Sequence, residues 1–270
     1  MAGNAQTESI HGQLDNDGLA AFLGSLPDVS RPVISQWFRS GGTVEWKSDD
    51  SPVTMADKAA ELALRNAIIA AFPDDEILGE EHAARQGSSG YSWVIDPIDG
   101  TRAFICGRPV FGTLVGLVRD DVPVAGLIDM PMLDECYVAV GDRATLNGTP
   151  IRTSGVTSLA RARIATTSPE ALLADSLPAF GRLSAACATN LYGGDCHNYA
   201  LLAAGHIDLV LEDGLATHDI MGVVQLITAA GGVVTDKTGA PVSLRGTSSL
   251  LAAATPELHA AALEVVASGG

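Results

Sequence analysis

Two aspartates three residues apart close an apolar run in Trp93-Val94-Ile95-Asp96-Pro97-Ile98-Asp99-Gly100-Thr101. A short apolar run that ends in carboxylates predicts a buried strand delivering two acids to one point. Pro97 restricts φ and stiffens the turn between them. Gly100 permits close backbone approach, and the N–H groups after it can open a helix towards an anion. The set suits a hard divalent cation, which takes carboxylate oxygens and shares them with a substrate phosphate. For an isolated D-x-x-D a turn or a helix cap would be the better reading. The proline, glycine and threonine beside this one favour the chemical reading.

The elements that must position these acids are read from periodicity. Residues 12–40 carry Leu19, Phe22, Leu23, Val33, Ile34 and Phe38 at helical spacing, which predicts a helix despite Pro27 and Pro32, stopped by Gly41-Gly42. A second helix is predicted over 55–72, with Ala59, Leu62, Ala63, Ala67 and Ile68 on its buried face and Pro73 beyond its end. Strands are predicted at 93–95, 111–118, 122–128 and 137–140, and Asn147-Gly148 signals a type I′ hairpin. Beyond about residue 155 strands and helices alternate: strand 163–167, helix 199–204, strand 207–211, helix 219–230 capped by Gly231-Gly232, strand 233–235, and a final helix 257–266. Helices, then antiparallel strands, then α/β alternation predict layered helices and sheets in one compact unit.

Composition narrows the partners. With 16 basic and 32 acidic residues the net charge is −16, a poor match for nucleic acid or an anionic membrane. The same charge is unexpected beside a phosphate anion, unless bound divalent cations reverse the local sign. No segment approaches the ~20 apolar residues of a membrane span, and the polar start lacks a signal-peptide pattern. Cys106, Cys136, Cys187 and Cys196 show no C-x-x-C spacing, so reduced thiols in a cytoplasmic protein are expected.

W-V-I-D-P-I-D-G-T (93–101) resembles the central signature of the inositol monophosphatase superfamily of metal-dependent sugar phosphatases. S-P-V-T-M-A-D (51–57), I-L-G-E-E (77–81), the N-G hairpin (147–148) and H-D-I-M-G…A-A-G-G (218–232) follow in that family's order, so the resemblance spans nearly the whole chain. It implies a layered αβαβα sugar-phosphatase fold of the α+β class and a homodimer. It also implies Glu80, Asp96, Asp99 and Asp219 as metal-binding carboxylates and the Ile98 carbonyl as a further ligand, for two or three Mg²⁺ ions. Asp57 and Thr101 match the pair that orients and activates the attacking water, and Gly100 and Thr101 should present N–H groups to the phosphate. Two cations roughly 3.5–4 Å apart can clamp the attacking and leaving oxygens of an in-line displacement. On this reading residues 1–155 form an α+β half with most metal ligands. Residues 156–270 form an α/β half with the last ligand and the substrate-facing residues. Asp219 is also expected to cap the helix it opens. Glu81 and Asp49 are read as acids beside the ligands or on the surface.

Substrate choice rests on other segments. F-I-C-G-R-P-V-F-G-T-L-V-G-L (104–117), G-L-I-D-M-P (126–131) and L-Y-G-G-D-C-H-N-Y-A-L-L-A-A-G-H-I-D-L-V-L-E (191–212) resemble the histidinol-phosphatase branch. That places Asp195 and Glu212 against the organic part of the substrate, where carboxylates can pair with an ammonium or imidazolium. Asp195 is equally well a helix N-cap. Ala216-Thr217-His218 departs from the Lys-Pro-Tyr-like stretch of some members of that branch. His218 is read as lying beside or outside the ligand set, because Mg²⁺ prefers oxygen. Arg102 and Arg108 are read as surface-paired by default. The alternatives are an inositol-1-phosphate, broad sugar-phosphate or phosphoadenosine-nucleotide phosphatase, or a non-catalytic interaction protein on the same fold.

Overall fold

In the computed structural model, residues 14–40, 44–46, 52–173 and 175–268 are described; Asp49, Ser51 and the Gly41-Gly42 stop lie outside them. The single N-terminal helix expected from periodicity is two, α1 (Asn16–Ser25) and α2 (Pro27–Trp37), joined at Leu26. The reason is Pro27, which has no N–H to continue α1 but suits the first turn of a new helix. A short hairpin, β1 (Val44–Trp46) and β2 (Pro52–Thr54), leads into α3 (Met55–Ala71).

The face of α3 is rotated from the expected one. Ala56, Ala60, Leu64 and Ile68 are buried, and Asp57, Glu61 and Arg65 are buried beside them, while Leu62 is 51% exposed. A hydrophobicity count discards charged residues as outward-facing. Here Glu61 and Arg65 pair with each other, Arg65 Nε donating to Glu61 Oε1 at 2.6 Å, and so can be buried.

Residues 76–150 form a seven-stranded sheet: β3 (Glu76–Gly79), β4 (Tyr91–Asp99), β5 (Gly112–Arg119), β6 (Val122–Met130), β7 (Glu135–Val140), β8 (Arg143–Leu146) and β9 (Thr149–Pro150), in that spatial order. Only β3 and β4 run parallel; every other pair is antiparallel. Between β4 and β5 lies the one-turn helix α4 (Thr101–Ile105). Asn147 and Gly148 have φ of 49° and 77°, both left-handed as a type I′ hairpin requires.

The second sheet is built from β10 (Arg163–Thr166), β11 (Thr189–Tyr192), β12 (Leu209–Asp213), β13 (Val233–Thr235) and β14 (Ser249–Ala253), ordered β11-β10-β12-β14-β13. Helices α5 (Ser176–Ala186), α6 (Cys196–Ala203), α7 (Thr217–Ala229) and α8 (Pro256–Ala267) alternate with it. Three cores follow. Leu19, Leu23, Leu64 and Ile68 pack on Trp93, Leu117 and Leu127 outside the first sheet. Tyr199, Leu202, Val223 and Leu226 fill the space between Leu114 and Ile128 of one sheet and Val210 and Leu250 of the other. Phe180, Leu183 and Leu258 cover Ile164, Leu211 and Leu251 on the far side. The layers are therefore α, β, α, β, α. No helix among the described residues is long and apolar enough to cross a membrane.

Helix α7 belongs by sequence to the second half but lies directly on β5 and β6. Glycines allow this. A Cβ on Gly126 would sit 2.3 Å from the Gly222 carbonyl oxygen, and one on Gly116 would sit 2.6 Å from the Met221 carbonyl carbon. Backbone meets backbone, which brings the first turn of α7 down beside the end of β4.

Candidate active site

In a regular strand residues three apart point to opposite faces, so Asp96 and Asp99 could not converge. A β-bulge resolves this. Asp96 pairs with Leu114 and Asp99 with Gly112, so Pro97 and Ile98 together oppose the single residue Thr113. The extra residue restores both aspartates to one side. Thr113 Oγ1 donates to the Pro97 carbonyl at 2.8 Å, and the Ile98 side chain is buried against Phe104 and Phe111. Asp96 Oδ1 accepts the Ile98 N–H at 3.0 Å, and the Thr101 hydroxyl donates to the Ile98 carbonyl at 3.1 Å. Gly100, at φ 85°, turns the chain into α4.

Three other elements converge here. Helix α3 carries the buried Asp57 in its first turn. Glu80 follows β3, its N–H donating to the Ile95 carbonyl at 3.3 Å. Asp219 is the third helical residue of α7, not its N-cap. Helix α7 starts two residues earlier than periodicity suggested, and Asp219 Oδ2 reaches back to accept the Ala216 N–H at 2.7 Å. The other oxygen of Asp219 stays available to the cluster. One oxygen each from Asp96, Asp99 and Asp219 lie within 4.8 Å of one another, and the same holds for donor atoms of Glu80, Asp96 and His218. His218 therefore sits at the acids: its Nε2 is 3.9 Å from Glu80 Oε1 and 3.7 Å from Asp219 Oδ1.

Burial, then repulsion from Asp99, Glu80, Asp219 and Asp57, holds the Asp96 carboxyl well above the usual carboxylate range. Asp99 is raised too, by burial and then by Asp195 and Asp219, with Cys196 opposing. Three other buried acids have a cation: Asp129 has Arg31, Asp208 has Arg163 and Asp213 has Lys237. Among the described residues no lysine or arginine ion pair reaches Asp96, Asp99 or Asp219. Oxygen donors that converge and repel one another are what a hard divalent cation stabilises. The residues fit such an ion.

Helix α6 abuts this centre. Its Cys196 N–H donates to Asp99 Oδ2 at 2.5 Å. Asp195 occupies the N-cap position but makes no capping bond through its side chain. Its φ of 47° and ψ of −135° lie in a region that only glycine adopts freely. The side chain instead rests on the Gly100 loop, where a Cβ on Gly100 would be 3.0 Å from Asp195 Cγ. Burial raises the Asp195 carboxyl to about 6, against the opposing pull of Arg108 and Arg102. Those arginines are exposed, as the surface reading from sequence has them, and their charge still reaches Asp195.

Glu212 lies deeper, 6% exposed. Oε1 accepts the Thr167 N–H (2.9 Å) and hydroxyl (2.6 Å), and Oε2 accepts the Tyr199 hydroxyl at 2.9 Å. Burial nevertheless raises its pKa from 4.5 to about 7, the Thr167 and Tyr199 bonds opposing. A raised carboxyl contributes stability that is present below its unfolded pKa and lost as pH rises through the folded one. Between about pH 5 and pH 8, Glu212→Gln should therefore lose less stability than the parent, the difference reaching at most ~3 kcal/mol. Urea denaturation in EDTA across that range measures it. Equal pH slopes for the two proteins would show that Glu212 is already ionised at low pH.

Some functional residues carried a signal that periodicity passed over. Glycines inside predicted strands, Gly116 and Gly126, mark close backbone approach. The spacing of Asp57, Glu61 and Arg65, four residues apart on one helix face, marks a polar stripe.

Comparison with known proteins agrees with this geometry. The model of the inositol monophosphatase family matches residues 21–269. A bifunctional phosphatase IMPL2, chloroplastic, from Arabidopsis thaliana is 39% identical, covering 98% of this chain and 81% of that protein. A histidinol-phosphatase from Chlorobaculum parvum is 35% identical over 72% of this chain and 75% of its own. The solved structure of an inositol monophosphatase from Zymomonas mobilis superimposes with a TM-score of 0.84 at 38% identity, covering 93% of this chain and 98% of that one. Five layers around a carboxylate centre, shared with phosphatases, define a phosphoric monoester hydrolase. The chain belongs to the inositol monophosphatase family.

Proposed function

We propose that the chain hydrolyses histidinol phosphate with Mg²⁺, and that the observation carrying this is the placement of Asp195 against the Gly100 loop. Asp96, Asp99, Asp219, Glu80 and the Ile98 carbonyl would hold two or three Mg²⁺ ions. Bound there, the ions would neutralise the phosphate, lower the pKa of a coordinated water and stabilise the leaving oxygen. Gly100 and Thr101 offer N–H groups to the phosphate. Asp57 and the Thr101 hydroxyl orient the attacking water and take up its proton. Asp195, with Glu212 behind it, faces the organic part of the ester, where its charge suits an ammonium group. A homodimer in the cytoplasm, where the four free thiols stay reduced, completes the reading.

One observation favours a second substrate. Arg108 and Arg102 already oppose the charge of Asp195, which leaves a carboxylate better matched to hydroxyl donors, as on an inositol phosphate. The test compares kcat/KM with Mg²⁺ on histidinol phosphate, inositol 1-phosphate and a phosphoadenosine nucleotide. Histidinol phosphate should exceed the others by at least about tenfold, the scale of one well-placed charged contact. Asp195→Ala should lower kcat/KM more for histidinol phosphate than for an aryl phosphate. Equal, low activity on all three esters, or equal losses in the variant, would exclude the histidinol reading.

A further inference from the structure

The turn that carries Glu80 is held by a residue outside the ligand set. Glu61, on α3 one helical turn after Asp57, has no exposed surface. Its Oε2 accepts the Glu81 N–H at 2.6 Å and its Oε1 accepts the His82 N–H at 3.2 Å. His82 Nδ1 lies 3.4 Å from the same Oε1. On the other side of Glu80, a Cβ on Gly79 would fall 2.0 Å from Glu61 Oε1, so the glycine of I-L-G-E-E is the residue that lets this carboxylate in. Arg65 completes a clamp: Nε donates to Glu61 Oε1 at 2.6 Å and Nη2 to the His82 carbonyl at 3.1 Å. Residues 81 and 82 are thus gripped by one buried ion pair that lies against Gly79, while Glu80 itself is tied to β4 through the Ile95 carbonyl.

We propose that Glu61, braced by Arg65, is a positioning residue that sets the Glu80 carboxylate for cation binding. The inference rests on Glu80 being a ligand, as proposed above. A buried ion pair is by itself a poor stabiliser, since desolvation offsets most of the attraction and apolar residues of similar volume do as well. Apolar residues could not accept the two N–H groups of the turn. Partners that orient ligands typically set metal affinity by about 10- to 100-fold. The geometry also ties Asp57 to Glu80, because one rigid helix carries Asp57 to the site and Glu61 to the turn.

The test is Mn²⁺ binding to the full chain without substrate, followed by electron paramagnetic resonance, for the parent, Glu61→Gln, Glu80→Gln and the double variant. Glu61→Gln should weaken Mn²⁺ binding about 10- to 100-fold. It should raise the Mg²⁺ concentration for half-maximal activity in proportion, with kcat at saturating Mg²⁺ within about threefold of the parent. Added to Glu80→Gln, it should cost no further Mn²⁺ affinity, because the group it orients is gone. Parental affinity in Glu61→Gln, or an undiminished further loss in the double variant, would overturn the proposal. Should Glu61→Gln not fold, Arg65→Lys removes the bond to His82 and keeps the charge, and unchanged Mn²⁺ affinity there would overturn it equally. Parental affinity in Glu80→Gln would remove Glu80 from the ligands, and the proposal with it. Failure of Glu61→Gln alone would leave the metal reading standing.

Discussion

Asp96→Asn should retain the fold and lose turnover by about 10³-fold or more, the scale of removing an essential electrostatic contact from the transition state. The substitution is nearly isosteric. An asparagine Oδ1 can still accept the Ile98 N–H that Asp96 accepts at 3.0 Å, so the bulge survives. What disappears is the charge shared between the two donor groups, since Asp96 belongs both to the set with Asp99 and Asp219 and to the set with Glu80 and His218. The variant should also show an opposite effect on stability. Asp96 is penalised first by burial and then by four neighbouring acids, and the stability linked to its raised pKa is lost as pH rises through it. Without metal at neutral pH, Asp96→Asn should melt at or above the parent temperature, and its shift on adding Mg²⁺ should shrink. Thermal melts in EDTA and in Mg²⁺, beside kcat, measure both effects. Turnover near the parental value, or a full Mg²⁺ shift, would overturn the metal reading.

Gly126→Ala should be strongly damaging although it lies away from the acids. Its Cβ would lie 2.3 Å from the carbonyl oxygen of Gly222, and backbone cannot rotate aside as a side chain can. Helix α7 must lift from β6. Overpacking of this kind costs about 1–3 kcal/mol, or a fall in Tm of roughly 2–10 °C for a chain of this size. The lift also moves Asp219, three residues before Gly222, away from Asp96, so Mg²⁺ affinity should fall along with stability. Gly181→Ala is the control. Gly181 lies within α5 with nothing within 4 Å of its Cβ, and alanine there should be neutral or stabilising by up to about 1 kcal/mol. Calorimetry and Mg²⁺ titration of both variants decide the matter. A Gly126→Ala protein with parental Tm and Mg²⁺ affinity would mean that α7 is not held in register by these glycines.

Several elements escaped the sequence for identifiable reasons. Pro178 and Gly181 hide α5 from a helical reading, although proline fits a first turn and the glycine is exposed. All four residues of β11 are exposed, so it shows no alternation of apolar and polar residues. All five of β14 are buried, and Ser-Leu-Leu-Ala-Ala has the composition of a helix. The sequence leaves Asp195 balanced between cap and contact, because the N-cap position is visible in a chain whereas the direction of its side chain depends on a left-handed φ.

By itself the sequence determined the chemistry. Carboxylates, a proline and a glycine at the end of an apolar run are the donor set and turn that would suit a hard cation beside a phosphate. Their order along the chain specifies the family, because ligand type and local turn geometry are short-range properties. Only the tertiary structure decided how those acids meet. One extra residue opposite Thr113 turns Asp96 and Asp99 to the same side, and backbone contact at Gly126 brings Asp219 down to them. A polar stripe buried on α3 holds the turn of Glu80. Each depends on register or on contact between segments far apart in the chain, and periodicity along one strand or helix holds no record of what lies opposite it.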